Sequence, residues 1–285
     1  MTDWVSLQSE LDRWAEAGRF ATLWWRDDDA VAPHPNLDRL LAMTRNAAVP
    51  LALAVIPAQA EAALAVQLAG AGHVAVLQHG FSHENHAAPG TKKTEFVAGR
   101  PLPAMIDELA RGRTLLLDRF GPLCRPVFVP PWNRILPALL PRLPRLGLQG
   151  LSTYAPRQSV WAAPGLAQAN CHVDPVNWRA GGTFAGAPAV LACLVGHLQA
   201  RRTGTVDGTE PTGLLTHHRQ HQDEIWGFLG ELLDRLRHPA LRWLDVDAVF
   251  GAGPAVACPA PALRCMVTRR ARCRAITCAP FSVWQ

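Results

Sequence analysis

Two histidines four residues apart, His79 and His83, follow the apolar run 74–77 and one glutamine. Histidines at this spacing on a helical turn lie within about 6 Å of each other, and neutral imidazole is the commonest metal ligand in proteins. The pair therefore indicates a site for a metal ion where a strand ends. Polar histidines in a loop would give the same pattern, so further ionisable residues are needed to support a site.

Ionisable residues also follow two other apolar runs. Asp27, Asp28 and Asp29 follow the apolar and aromatic run 21–25 after Arg26, and His217 follows a third run. One carboxylate and two imidazoles would form a three-ligand site with an open position, as in catalytic zinc sites. Nitrogen and oxygen ligands without thiolate fit zinc, cobalt, nickel or iron, and the sequence does not choose among these ions. A second carboxylate could accept a proton from water, and a histidine could protonate a leaving nitrogen.

Apolar runs and helical patterns alternate along the chain. Strands are predicted at 21–25, 51–57, 74–78, 126–129, 148–153, 169–173, 213–218 and 241–246, and helices at 3–17, 37–44, 58–69, 103–119, 188–202 and 221–237. About seven strand-then-helix units predict a parallel sheet covered by helices. The carboxyl ends of parallel strands meet at one edge, which is where both closed barrels and open sheets place their sites. Periodicity alone does not distinguish those two architectures.

Composition separates the chain into two parts. The 285 residues are 49% apolar and 18% charged, which is typical of a globular enzyme. The net charge of +5 comes from residues 251–285, which contain five arginines and no acid, so the rest of the chain is balanced. We therefore expect a catalytic domain at 1–250, an Arg/Cys/Pro-rich tail without ordered structure at 251–285, and no nucleic-acid partner.

Targeting signals and cysteine motifs are not evident. Acids at positions 3 and 10 interrupt the N-terminal segment, and the sequence has no uncharged apolar run of 18 residues. The seven cysteines form no CxxC pair, which argues against a thiolate zinc site or a thioredoxin-like redox motif. These features favour a cytoplasmic protein that has no membrane partner.

Four segments, taken in order, resemble the motifs of the polysaccharide deacetylases, also called NodB-homology proteins or carbohydrate esterase family 4. They are Asp27-Asp28, the His79–His83 pair, Pro130-Pro131-Trp132 and Leu215-Thr216-His217. The resemblance covers residues 20–220. It implies an α/β fold, a distorted (β/α) barrel of about seven strands, with a metal site at the carboxyl ends of the strands.

The resemblance also implies a set of metal ligands. Asp28, His79 and His83 match the three ligands of the family, with zinc as the expected divalent ion and cobalt, nickel or iron as alternatives. Asp29 is a third acid in the same run, so an assignment shifted by one residue stays open. The histidine pair is specific in this context, whereas an acidic pair alone is a weak signal.

The remaining roles follow from the same resemblance. Asp27 matches the general base, His217 matches the general acid, and the backbone N–H of Trp132 matches the group that stabilises the oxyanion. These residues imply a metal-dependent hydrolase that removes an acetyl group from an amide nitrogen of an N-acetylated sugar or a glycan precursor. The substrate would be a small molecule or an oligosaccharide. The alternatives are hydrolysis of another carbon–nitrogen bond, such as a cyclic amide, and a non-catalytic binding domain with this fold.

Two positions depart from the family pattern. Val129 stands where the family has an arginine that orients the base, so Arg26, Arg125 or Arg134 would have to replace it. Asn177 stands where the second aspartate of the Asp-x-x-Asp-Trp segment belongs. Trp178, the next residue, could line an acyl pocket or could equally be a core tryptophan.

Overall fold

The computed structural model describes residues 2–251. Its strands are β1 (Ala21–Ala30), β2 (Leu51–Val55), β3 (Val74–His79), β4 (Cys124–Val129), β5 (Gly150–Leu151), β6 (Trp161–Ala163), β7 (Leu166–Gln168), β8 (Val176–Asn177), β9 (Thr183–Phe184), β10 (Thr212–Thr216) and β11 (Leu241–Trp243). Its helices are α1 (Trp4–Glu16), α2 (Pro35–Asn46), α3 (Ala62–Leu68), α4 (Leu102–Phe120), α5 (Ala187–Thr203), α6 (Asp223–Arg235) and α7 (Val246–Phe250). The tail predicted at 251–285 lies outside the described residues, apart from Gly251.

Most strands belong to one sheet. Its order is β10-β1-β2-β3-β4-β5-β7-β6, and β11 also pairs with β1. Every pair in this sheet is parallel except β6–β7, while β8 and β9 form a separate antiparallel pair. All five residues of β2 are buried, as expected for a parallel strand that is covered on both faces. The predicted α/β fold with a parallel central sheet is confirmed.

The predicted barrel is supported only in part, because the ladder of paired strands does not run continuously around a ring. Single bridges at Tyr154–Cys171 and Val173–Leu214 link the segment 171–173 to the chain after β5 and to β10. The strand expected at 169–173 is therefore reduced to isolated bridges. The β6–β7 hairpin was not predicted, because its two strands have only three residues each.

Strand β1 is longer than predicted. The sequence suggested a charged loop after residue 25, but the strand continues to Ala30, with Asp27 opposite Thr216 on β10 and Ala30 opposite Val55 on β2. The β1–β2 register shifts between Asp27 and Ala30, and Asp29 has a φ of 68°. Pairing with a strand on each side thus keeps the acidic residues in the sheet, with a bulge at the third acid.

Alternation along β1 assigns its residues to two faces. Leu23 and Trp25 belong to the largest apolar cluster, which includes residues of the covering helices, whereas Trp24 belongs to another cluster with residues of β2, β3 and β4. By the same period of two, Arg26 and Asp28 share the face of Trp24. The bulge interrupts this alternation before Asp29.

Capping residues mark the start of α1 and the end of α5. The Asp3 side chain accepts a hydrogen bond from the backbone N–H of Ser6 at the start of α1, and Gly204 takes a left-handed conformation after α5. Among residues 2–251, no helix combines the length and apolar character needed to cross a bilayer.

Candidate active site

A cavity of about 590 Å³ opens at the carboxyl ends of the central strands. It is lined by Asp28, Asp29, His79, His83, Trp132, Asn133, Arg134, Tyr154, Asp174, Val176, Trp178, Leu215 and His217. Five of the six residues predicted to form the site therefore line one cavity. The exception is Asp27.

Asp29, His79 and His83 converge on one point. The Oδ1 atom of Asp29 lies 3.0 Å from Nε2 of His79 and 3.3 Å from Nε2 of His83, and the three potential ligand atoms lie within 4.8 Å of one another. The carboxylate beside the two imidazoles is therefore that of Asp29, not the predicted Asp28. The β1 bulge is the physical reason, because it turns Asp29 towards the cavity.

The donor set of these three residues fits a cation. Nδ1 of His79 lies 3.0 Å from the carbonyl oxygen of Val129. A carbonyl can only accept a hydrogen bond, so Nδ1 carries the proton and Nε2 presents a lone pair towards the carboxylate of Asp29, unless the ring is protonated. Two acceptors facing each other require a positive charge between them. This arrangement can hold a metal ion.

The ring positions fit the same conclusion. An ion about 2.1 Å from both Nε2 atoms in tetrahedral geometry would hold the ring centres of two histidines about 5 Å apart. The observed distance between the centres of His79 and His83 is 5.1 Å, with 51° between the ring planes. The spacing of the two rings is therefore compatible with a shared ion.

The pKa values of His79 and Asp29 show that a positive charge is favoured at His79 and a negative charge at Asp29. Burial works to lower the pKa of His79, but the charge of Asp28 and the hydrogen bond that the protonated ring donates to Asp29 outweigh it, so that pKa is raised. Burial works to raise the pKa of Asp29, yet the hydrogen bond and charge of His79 hold it well below its usual range. The pKa of His83 is lowered by burial and by His79.

A buried glutamate shapes the turn that carries the two histidines. The carboxylate of Glu95 accepts hydrogen bonds from the backbone N–H groups of Phe81 and Ser82 and from the hydroxyl of Ser82. Gly80 has a φ of 58°, and a Cβ at that position would overlap the Glu95 carboxylate and the Pro131 ring. Glu95 lies in a segment that the sequence offered only as a loop, and no motif pointed to it.

Asp28 is held by Arg26 instead of by the histidines. The guanidinium donates from Nε to Oδ1 at 2.9 Å and from Nη2 to Oδ2 at 3.0 Å, a two-pronged contact between residues two apart on one face of β1. Arg26 is fully buried and also donates to Ser152 Oγ and Asn133 Oδ1. Asp28 is the carboxylate beside the potential ligand Asp29.

The position of Arg26 resolves the departure at Val129. Of the three arginines considered as replacements, only Arg26 contacts an aspartate of the site. Arg125 pairs with Asp247, and Arg134 donates to the backbone carbonyl of Lys93. Among the three candidates, Arg26 is thus the arginine whose guanidinium meets a carboxylate of the cavity.

Asp27 lies on the other face of the strand from Asp28. Its carboxylate accepts from Thr216 Oγ1 at 2.6 Å, from the backbone N–H of His218 at 2.9 Å and from Nδ1 of His218 at 2.5 Å. It is fully buried and does not line the cavity. The prediction of Asp27 as the base is therefore inconsistent with the structure, because alternation turns its side chain away.

His217 directly follows β10, the strand that pairs with β1, and lines the same cavity as the three potential ligands. Its ring meets Trp178 edge to face, with centres 4.7 Å apart, and Trp178 is half exposed, not a core residue. Nearby Asp174 accepts from the Trp178 indole N–H, and burial raises the pKa of Asp174 against the opposing charge of His217. Asn177 caps a short turn by accepting from the backbone N–H of Ala180.

Trp132 follows the double proline and stacks near the histidine pair. Its φ is 53°, and its ring centre is 4.3 Å from that of His83. The left-handed conformation is rare outside glycine and is typical of functional sites. Trp132 thus lies beside the potential metal ligands, as the resemblance implied.

A second group of potential ligands, His172, His197 and Glu210, is buried elsewhere. The rings of His172 and His197 are stacked with centres 3.5 Å apart and 16° between their planes. Two parallel rings cannot direct their lone pairs at one tetrahedral ion without separating by more than an ångström. This group does not have the geometry of the first.

A scan against protein-family models gave no match, and a search of curated sequences gave none that was significant. Solved structures do match. A Mycobacterium smegmatis protein assigned to the polysaccharide deacetylases aligns with a TM-score of 0.56 at 15% identity, covering 81% of this chain and 90% of that one. The Bc1960 peptidoglycan N-acetylglucosamine deacetylase aligns with a TM-score of 0.51 at 14% identity, covering 85% and 97%. The chain has the polysaccharide deacetylase fold.

In that fold, the cavity of this chain occupies the edge that the sequence predicted. The potential ligands come from β1 and the turn after β3, Trp132 from the turn after β4, and His217 from the end of β10. Four separate connections thus contribute to one site. The carboxylate beside the histidine pair is that of Asp29 instead of the predicted Asp28.

Proposed function

We propose that this protein is a metal-dependent hydrolase that removes an acetyl group from an amide nitrogen of an N-acetylated sugar or glycan precursor. The observation that carries the proposal is the meeting of Asp29, His79 and His83 beside the arginine-bound Asp28, with His217 in the same cavity. The similarity to structures described as deacetylases supports the same activity.

Asp29, His79 and His83 would hold the ion, for which we propose zinc, with cobalt, nickel or iron as alternatives. When bound, a divalent cation supplies a Lewis acid that polarises the amide carbonyl and makes water more acidic. The three residues leave a position open towards the cavity. The backbone N–H of Trp132 would donate to the carbonyl oxygen as negative charge develops on it.

Asp28 is proposed as the general base. It neighbours Asp29 in the chain and faces the same cavity, so it can take the proton of a water molecule that attacks the amide carbon. Arg26 holds both carboxylate oxygens by its two-pronged contact, which orients the group. These are the roles first expected of Asp27 and of the arginine absent at Val129.

His217 is proposed as the general acid. It lines the same cavity as Asp28, and it can give a proton to the amide nitrogen as the carbon–nitrogen bond breaks. An amine leaves poorly unless it is protonated, so the reaction requires this second group.

Aromatic walls favour a sugar substrate. Trp132, Tyr154 and Trp178 line the cavity, and its volume of about 590 Å³ is within the range of small-molecule sites. Tyr154 and Trp178 are partly exposed, with about 41% and 50% of their surface accessible. Such surfaces suit the apolar faces of sugar rings, in a small molecule or in an oligosaccharide.

The first test measures metal content and acetate release on the same samples. Wild-type protein should hold about one ion per chain and release acetate from N-acetylated sugars. His79→Ala and Asp29→Ala should lose both properties, whereas Asp28→Asn should keep the metal and lose about 100-fold or more in kcat. His86→Ala serves as the control, because His86 is exposed and lies outside the cavity.

The pattern of losses separates the alternatives. Loss of metal in Asp28→Asn but not in Asp29→Ala would contradict the register proposed here. Metal without acetate release would direct the search to other carbon–nitrogen bonds, such as cyclic amides. A wild-type protein that binds no divalent ion would overturn the mechanism and favour a non-catalytic binding domain. The contact of Arg26 with Asp28 counts against that alternative, because it provides an arginine at the proposed base although Val129 does not.

A further inference from the structure

We propose that Asp27 is a positioning residue that fixes the direction of His217 from the opposite face of β1. The inference rests on the proposed function, because it assigns to Asp27 the task of holding the general acid in place. Asp27 touches neither the cavity nor the potential metal ligands.

Three hydrogen bonds connect Asp27 to the residues on both sides of His217. Thr216 Oγ1 donates to Oδ2 at 2.6 Å, the backbone N–H of His218 donates to Oδ2 at 2.9 Å, and Nδ1 of His218 donates to Oδ1 at 2.5 Å. Trp25 adds a fourth link by donating from its indole N–H to Thr216 Oγ1 at 2.8 Å. One buried carboxylate therefore ties down the backbone immediately before and after His217.

The alternation of side chains along a strand explains how Asp27 can influence His217, whose ring lies on the other face of the sheet. Asp27 lies opposite Thr216 in the parallel register of β1 and β10. His218 turns its ring towards Asp27 and is fully buried, while His217 turns its ring into the cavity. The carboxylate cannot touch His217, but it determines which way the backbone presents it.

The His217 ring has little else to hold it. Its Nδ1 is buried without a hydrogen-bond partner among residues 2–251. Its aromatic neighbour Trp178 is half exposed and meets it edge to face. The direction of the ring therefore depends on the backbone, which Asp27 holds together with the hydrogen bond from the Gln220 N–H to the carbonyl of His217.

Asparagine weakens this contact. Its amide oxygen can accept from Thr216 Oγ1 and the His218 N–H, but its N–H₂ group then faces Nδ1 of His218, so the hydrogen bond from that ring to a carboxylate is lost and the imidazole must change its tautomer. Asp27→Asn should therefore release the turn while changing the volume of the side chain very little. A displacement of about 1 Å at a catalytic group can cost about 100-fold in rate.

The leaving group provides the readout. An amide nitrogen needs the proton of His217 to depart, whereas the 4-nitrophenolate of 4-nitrophenyl acetate departs without one. For metal-loaded Asp27→Asn we expect kcat on an N-acetylated sugar to fall at least about 10-fold. On 4-nitrophenyl acetate it should change less than about 3-fold, with unchanged metal content. His217→Ala should show the same selectivity, and the double variant should be no slower than His217→Ala.

Glu10→Gln is the matched control. Glu10 is also a fully buried carboxylate, it pairs with Arg202, and it lies on α1 away from the cavity. Its loss should destabilise the protein without altering the ratio of amide to ester rates.

Parallel loss on both substrates, loss of metal from Asp27→Asn, or additive effects with His217→Ala would overturn the inference. A wild-type protein that binds metal but cleaves no acetyl amide would instead contradict the proposed function. In that case crystal structures of wild type and Asp27→Asn decide. Displacement of the His217 ring in Asp27→Asn would support the positioning role of Asp27, and an unmoved ring would refute it.

Discussion

Arg26 and Asp28 form a buried ion pair with two hydrogen bonds. The guanidinium is buried, and two of its nitrogens meet both carboxylate oxygens, while other donors reach Ser152 and Asn133. A buried ion pair of this kind contributes little net stability compared with apolar residues, but removing one partner leaves a buried charge without compensation. Arg26 therefore matters to both folding and reactivity.

Replacement of Arg26 should reveal both effects. Arg26→Met should lower the free energy of unfolding by about 3 kcal/mol, because Asp28 is left as an unpaired buried charge. Its kcat should fall about 100-fold, because the base loses its orientation. Urea unfolding and steady-state kinetics measure the two quantities.

Arg125→Met is the comparison for that experiment. Arg125 pairs with the largely exposed Asp247, so the free energy of unfolding should change by less than about 1 kcal/mol. Equal destabilisation by Arg26→Met and Arg125→Met would show that the buried pair Arg26–Asp28 contributes no more to stability than the pair Arg125–Asp247.

At the scale of elements, the turn after β3 joins the two histidines. Gly80 lies in the left-handed region with φ at 58°, and the space where a Cβ would be is already filled by Glu95 and Pro131. Gly18, after α1, has a similar φ of 61° with nothing within 4 Å. Both glycines have a left-handed backbone, but of the two only Gly80 has neighbouring atoms so close that a side chain has no room.

This difference makes a matched pair of variants. Gly18→Ala should destabilise the protein by about 1 kcal/mol, the cost of a left-handed alanine, and should leave metal affinity unchanged. Gly80→Ala should cost more and weaken metal binding, because Glu95 must move and the turn between His79 and His83 moves with it. Urea unfolding and zinc titration provide the measurements. Equal effects of both variants on metal affinity would refute the explanation.

Several elements of the site could be predicted from sequence because local rules determine them. The apolar run 74–77 and the spacing of His79 and His83 were sufficient to place two imidazoles at a strand end. The order of motifs was sufficient to place Trp132 and His217 around the same edge. These features depend on residue type and separation, which a sequence displays directly.

Other features depend on pairing between distant segments. The bulge that directs Asp29 into the cavity exists because β1 changes register against β2, and nothing in three consecutive aspartates shows where that happens. Glu95 caps a turn more than ten residues away. Arg26 was one of three candidates until the structure showed which arginine met Asp28.

At the scale of the whole molecule, buried histidines link stability to pH. His197 stacks on His172, and its Nδ1 lies 2.9 Å from Thr212 Oγ1. Burial lowers the pKa of His197 to about 2 from its ordinary 6.5, and the charges of His172 and Arg201 act in the same direction. Between these two values the unfolded chain binds a proton that the folded chain does not.

Stability should therefore fall as the pH falls below about 6.5. His197 contributes a slope of at most about 1.4 kcal/mol per pH unit, since one proton separates the two states. His197→Gln should unfold with a shallower pH dependence between pH 6 and 4.5, measured by urea unfolding at several pH values. His86→Gln, an exposed control, should keep the slope of the wild type. A slope unchanged in His197→Gln would contradict the low pKa.

The two-residue separation of Arg26 and Asp28 bears on how relatives of this chain are compared. Under the roles proposed above, an alignment that matches the acidic pair of the family to Asp27 and Asp28 would assign the base and the metal ligand one residue too early. Arg26 and Asp28 are two residues apart, so their side chains lie on the same face of β1 and can pair. A relative with the pattern Arg-x-Asp-Asp would then be expected to have its base two positions after the arginine.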